Sequence, residues 1–183
     1  MSLTTLWDSR KRSATAIDMQ KEISACFTGY RPQKLPWGFN EADKGCLILK
    51  GELRKIIKCA YDTGYTHFIS GGAMGVDLYA AEEVIRLKQS ANDVTLELAM
   101  PFPTLNPAMP GDIKERYEGI LLKADKVTVC SEHYSPASYM KRNAYMVDSS
   151  SLVIAVYDGQ NGGTKNTVDY ARKKGKTVWL VHP

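Results

Sequence analysis

From residue 22 onward the chain alternates between two rhythms. Six short apolar runs, at residues 23–28, 67–70, 94–100, 126–130, 152–157 and 177–181, read as strands. Longer stretches with helical spacing separate them. Leu49, Leu53, Ile56, Ile57 and Ala60 share one face of a helix that ends near Gly64. Val76, Tyr79, Ala80, Glu83, Val84 and Leu87 mark a second, and residues 113–124, 139–149 and 164–174 give three more. Strand, helix, strand, repeated in this way, implies parallel strands joined by crossover helices. The runs are nearly continuous rather than alternating, as in a sheet covered on both faces. The expectation is an α/β, Rossmann-like three-layer fold, with a mostly parallel sheet flanked by helices. The 183 residues suffice for one such domain, placed at 21–183, with residues 1–20 a polar tail or arm.

Ligands on such sheets bind beyond the carboxyl ends of the strands. The loops that follow the strands are therefore the informative text. The first is Thr28-Gly29-Tyr30-Arg31-Pro32: Gly29 permits close backbone approach, and Arg31 offers a planar fork of donors to an anion. A plain turn with a surface arginine is the competing reading. The second is Ser70-Gly71-Gly72-Ala73-Met74-Gly75-Val76-Asp77, which leaves a strand and opens a helix. Gly71, Gly72 and Gly75 would expose backbone N–H groups where the helix adds about half a positive charge. Asp77 either meets the ligand or only complements the helix dipole. The third, from Asp158 to Thr164, again sets a glycine pair, Gly162 and Gly163, before a helix, with Thr164 as N-cap or phosphate-facing hydroxyl. None of these is a G-x-G-x-x-G fingerprint after the first strand, so a conventional NAD site is not supported. A fourth segment, the helix around residues 140–147, would turn Met140, Ala144 and Val147 to the core. Arg142 and Asn143 would then lie on its flank, as ligand contacts or as a solvated pair. The proline-rich stretch at residues 101–110 would form a stiff loop over the ligand.

Composition removes several classes. No apolar run approaches the length of about 20 residues that a membrane span needs. Residues 1–20 carry no leader-like apolar stretch, so a cytoplasmic location is expected. Cys26, Cys46, Cys59 and Cys130 lack metal-ligand spacing and read as free buried thiols; no metal is expected. The net charge is +4, and Arg10, Lys11, Arg12 and Lys21 against Asp8 and Asp18 carry half of it. That balance suits an anionic small molecule better than a nucleic-acid stripe.

The loop motifs, together with Arg142-Asn143 and Tyr145-Met146-Val147-Asp148, resemble the YpsA-like family of the SLOG superfamily, which also holds the DNA-processing protein DprA and the LOG phosphoribohydrolases. The resemblance spans about residues 22–183. It implies a crevice for a nucleotide or an ADP-ribose-like ligand, lined by Gly29, Arg31, Gly71, Gly72, Gly75, Arg142, Asn143, Gly162, Gly163 and Thr164. No settled activity comes with it. Leu105, Asn106 and Met109 stand where relatives often carry a Gln and a Trp.

Three functions follow. The preferred one is a sensor or regulatory domain that binds the nucleotide and signals to a protein partner. The second is LOG-like hydrolysis of an N-glycosidic bond. Those enzymes carry a Glu where this chain has Thr167, and Asp169 lies about 200° further round the helix. The third, DprA-like binding of single-stranded DNA, rests on the arm at residues 10–12 and has little support in the rest of the charge. A homodimer through helix faces is compatible with the pattern.

Overall fold

The computed structural model describes residue 16, residues 18–103 and residues 110–183. Most of the polar arm, and Leu105, Asn106 and Met109 of the proline-rich loop, lie outside the described residues. Six strands form one sheet: β1 (Ser24–Thr28), β2 (His67–Ser70), β3 (Thr95–Met100), β4 (Lys126–Val129), β5 (Leu152–Val156) and β6 (Thr177–Val181). Their spatial order is β4-β3-β2-β1-β5-β6, and every adjacent pair is parallel. Five α-helices alternate with them: α1 (Lys44–Asp62), α2 (Val76–Lys88), α3 (Gly111–Lys123), α4 (Ser138–Asp148) and α5 (Gly163–Lys173).

The side-chain alternation of each strand builds the layers. Ala25, Phe27, Phe68, Leu96, Leu98, Leu152 and Ile154 face α1, α2 and α3, which contribute Leu49, Leu53, Ile57, Val84 and Ile120 to the same core. Cys26, Ile69, Ala99 and Val153 face the other way, onto Met146 and Val147 of α4 and Ala171 of α5. The three-layer Rossmann-like arrangement is therefore present. Coverage on both faces holds for the central strands only. The edge strand β4 is largely exposed, with Val127 and Val129 at 44% and 46%.

Two expectations need correction. Cys59 lies exposed on the outer side of α1, and only Cys26 and Cys46 are buried thiols. In α4 the inward face is Ser138, Arg142, Met146 and Val147, whereas Met140 is 70% exposed. Hydropathy favours methionine over arginine at a buried position. Val147 is inward as expected, but Arg142 is buried and Met140 is not, because Arg142 finds a carboxylate inside.

Helices α1–α3 pack on one face and α4–α5 on the other, so the direction of winding changes between β1 and β5. Those two strands are direct neighbours, with Thr28 in register with Ala155. A sheet wound this way opens a crevice where its connections diverge.

Candidate functional site

A cavity of about 350 Å³ lies at this divergence, against the carboxyl end of β1 and the amino end of α5. Its lining includes Thr28, Gly29, Tyr30, Arg31 and Lys34 after β1, Ala73 and Asp77 after β2, Tyr139, Arg142 and Asn143 of α4, and Gly163 and Thr164 of α5. A larger groove of about 650 Å³ runs across the outer helices α1, α2 and α3. Its arginines are already paired with carboxylates: Arg54 and Arg86 share Glu83, at 2.8 Å and 3.3 Å, and Arg116 meets Glu82 at 2.8 Å and Glu41 at 2.7 Å.

Arg142 is the central group of the crevice. It is 5% exposed, and its Nη1 donates to Asp77 Oδ2 at 3.3 Å. Its Nε is buried without a hydrogen-bond partner among the described residues. The helix can turn this residue inward because Gly71 has no side chain: a Cβ there would stand 1.5 Å from Arg142 Nη1. Asp77 also accepts from the Ala73 N–H at 3.3 Å. Burial pushes its carboxyl above the usual range, against the opposing pull of Arg142, the Ala73 amide and Arg31.

The glycine loops divide by what their backbone donors already do. In the second loop the Gly72 N–H reaches Ser70 Oγ at 3.2 Å, Ala73 N–H reaches Asp77, and Val76 N–H reaches the Tyr30 carbonyl at 3.2 Å. Gly75 sits at φ +92°, where its missing Cβ lets the Tyr30 carbonyl approach. Gly72 backs onto Tyr117 and Leu98, and Gly29 onto Val76. The third loop differs. Helix α5 starts one residue earlier than expected: Gly162, at φ +143°, is the N-cap, and Thr164 is the second helical residue. No side chain caps this end, and the first intrahelical bond recorded is Asn166 N–H to the Gly162 carbonyl. The N–H groups of Gly163, Thr164 and Lys165 thus have no acceptor within the helix, beside a partial positive charge.

Several contacts cross the crevice. Tyr30 donates its hydroxyl to Asp158, and Lys34 Nζ donates to the Asn161 carbonyl at 2.5 Å. Asn143 Nδ2 of α4 donates to Thr167 Oγ1 of α5 at 3.0 Å, and within α5 the Thr167 hydroxyl donates to the Gly163 carbonyl at 2.9 Å. The Arg31 guanidinium lies 5.2 Å from the centroid of the Tyr139 ring.

The structure thus brings together Gly29, Arg31, Arg142, Asn143, Gly163 and Thr164. Gly71 lies directly behind Arg142, and Gly162 beside Lys34. Gly72 and Gly75 face protein neighbours. Sequence reasoning missed Lys34 and Tyr139. Tyr139 carried a signal, since it precedes Arg142 by three residues and shares its helix face. Lys34 carried none, because the 3₁₀ turn Pro32–Lys34 that swings it across the crevice leaves no hydropathy period.

Comparison with known proteins agrees with this architecture. The sequence profile of the YspA SLOG family matches residues 25–182. The SPbeta prophage-derived protein YoqJ of Bacillus subtilis (strain 168) is 35% identical over 130 residues, covering 63% of this chain and 76% of that protein. A UPF0398 protein of Bacillus thuringiensis (strain Al Hakam) is 32% identical over 152 residues, 81% of this chain and 82% of that one. Among solved structures, the single-stranded-DNA-binding DNA processing protein A from Helicobacter pylori superposes with a TM-score of 0.60 at 17% identity. The match covers 91% of this chain and 67% of that one.

Proposed function

We propose a function from the premise that this chain belongs to the YspA SLOG family: the β1/β5 crevice binds a nucleotide or nucleotide-derived ligand through its phosphate, as a sensing or regulatory domain. The observation that carries the reading is Arg142, buried with its Nε unpartnered among the described residues. A buried cation of this kind is costly unless further acceptors reach it. Phosphate oxygens supply such acceptors, and the open N–H groups of α5 supply donors for the same anion. Arg31 and Lys34 add charge at the rim.

The reading is binding rather than glycosidic hydrolysis. At the helical position where LOG enzymes carry a glutamate, Thr167 holds its hydroxyl between Asn143 and the Gly163 carbonyl. The carboxylate that does line the crevice, Asp77, is engaged with Arg142 and the Ala73 amide.

Thermal shift of the full chain with AMP, ADP, ATP, ADP-ribose and NAD tests the proposal. A ligand at about 100 times its Kd stabilises by about 2.7 kcal/mol, a rise of roughly 5–10 °C for a protein of this size. The Arg142→Gln variant is expected to lose that rise. No stabilisation by any of the five at millimolar concentration would sink the reading.

A further inference from the structure

The crevice pairs its anion-binding groups with an aromatic wall. Tyr139 lines the cavity and presents its ring to the Arg31 guanidinium at 5.2 Å. Phe102 meets Tyr139 edge-on, with centroids 5.8 Å apart and planes at 84°. The same Phe102 meets Tyr134 at 5.4 Å and 88°. Phe102 is buried, and its two edge-on contacts fix the tilt of both tyrosines. Tyr134 remains 66% exposed and Tyr139 half-buried, so neither ring is consumed by the core.

A guanidinium over a tyrosine face marks a site where a flat, polarisable group is stable on that face. Arg31 is exposed and, among the described residues, bears on no other ring, so a ligand's aromatic group can take its place or slide beneath it. Elsewhere in the polar lining, Thr28, Gln33 and Asn143 carry the donors and acceptors that sugar hydroxyls take. The volume, about 350 Å³, stands at the lower end of the range of about 300–1,000 Å³ for small-molecule sites.

We propose that Tyr139 and Arg31 form a nucleobase slot, and that the occupant is a free mononucleotide: one base against Tyr139, with its phosphate on Arg142 and the amino end of α5. The proposal rests on the phosphate-binding reading above and deepens it. Base recognition by stacking tolerates many bases, so the slot selects for the presence of a base more than for its identity.

Isothermal titration of the full chain with AMP, UMP, ribose 5-phosphate, inorganic phosphate and a single-stranded dA12 oligonucleotide is the test. At least one mononucleotide is expected to bind about tenfold more tightly than ribose 5-phosphate, the gain that stacking one base confers. Tyr139→Ala is expected to reduce that advantage to less than about twofold, and Tyr139→Phe to keep it, because the stacking face survives. Equal affinity for the mononucleotides and ribose 5-phosphate would overturn the slot while leaving the anion site standing. So would an advantage unchanged in Tyr139→Ala. Failure of every probe to bind would overturn the mononucleotide slot, and the anion site falls with it only if ADP, ATP, ADP-ribose and NAD also fail to stabilise the chain. An oligonucleotide binding far more tightly than either mononucleotide would overturn the free mononucleotide as occupant.

Discussion

At the scale of single residues, the crevice depends on an arginine and a missing side chain. Arg142 is inside because Gly71 vacates the space and Asp77 supplies a counter-charge. Gly71→Ala is expected to push the guanidinium off Asp77. Nucleotide affinity in titration calorimetry should fall at least tenfold, while urea unfolding shows a loss of only about 1–3 kcal/mol. Full affinity in that variant would show that Arg142 is not the anchor. Gly29→Ala is the contrast: its Cβ would stand 2.4 Å from Val76 Cγ1, a group with no freedom to swing away. That overpacking is expected to cost about 3 kcal/mol or more by the same measurement. The sequence marked Gly71 and Arg142 separately, through a loop motif and a helix. Their contact joins residues 71 positions apart, which spacing along one element does not encode. The inward turn of Arg142 in place of Met140 was hidden for a related reason. A helical period leaves the edge of the buried face open here, and a buried ion pair with another element set it.

At the scale of elements, the loops after β1 and β5 are tied to each other across the crevice. The ties are Tyr30 to Asp158 and Lys34 to the Asn161 carbonyl. Lys34 also lies 5.8 Å from the Tyr30 ring centroid and beside Gly162. Lys34→Met keeps the stem and removes the ammonium. Amide hydrogen exchange across residues 159–164 is then expected to speed up several-fold, since this exposed loop keeps fewer anchors. Unchanged exchange in that segment would mean that Lys34 does not order it. The strand–glycine–helix units themselves were legible from sequence. Which amides remained open was not, because the donors of the second loop are engaged by Ser70, Asp77 and Tyr30, partners that only the folded chain assembles.

At the scale of the whole molecule, a polar network holds the β2–β3–β4 side of the sheet to α4. Glu97 is 1% exposed and is met by His67 at 3.0 Å, Thr128 at 2.7 Å, Tyr145 at 2.6 Å and Lys126 at 3.0 Å. Burial alone would raise its carboxyl. The hydrogen bonds from His67, Tyr145, Thr128 and Lys126 outweigh it and lower the pKa to about 2 from an ordinary 4.5. A carboxylate lowered in the fold stabilises above its unfolded value and loses that contribution as pH falls. Stability should therefore decline between about pH 4.5 and about pH 2. Glu97→Gln should lose on the order of 3 kcal/mol at neutral pH and show a flatter acid limb in denaturant titrations. An acid limb as steep as the wild type's would assign the decline to other groups. The element order was legible in the alternating rhythms. The exposure of β4 was not, since an apolar run reads alike at an edge and at the centre of a sheet. The seam between β1 and β5 has a last consequence, in the order of manufacture. Residues 24–129 lay down β1 to β4 as neighbours, each strand beside the one made before it. The chain then returns to the flank of β1 that was left open, and only there does β5 complete the crevice. Because synthesis runs from the amino end, the crevice is finished only after most of the sheet has been made. A ligand held there, as proposed, would therefore certify a completed molecule and favour it over every partly assembled one.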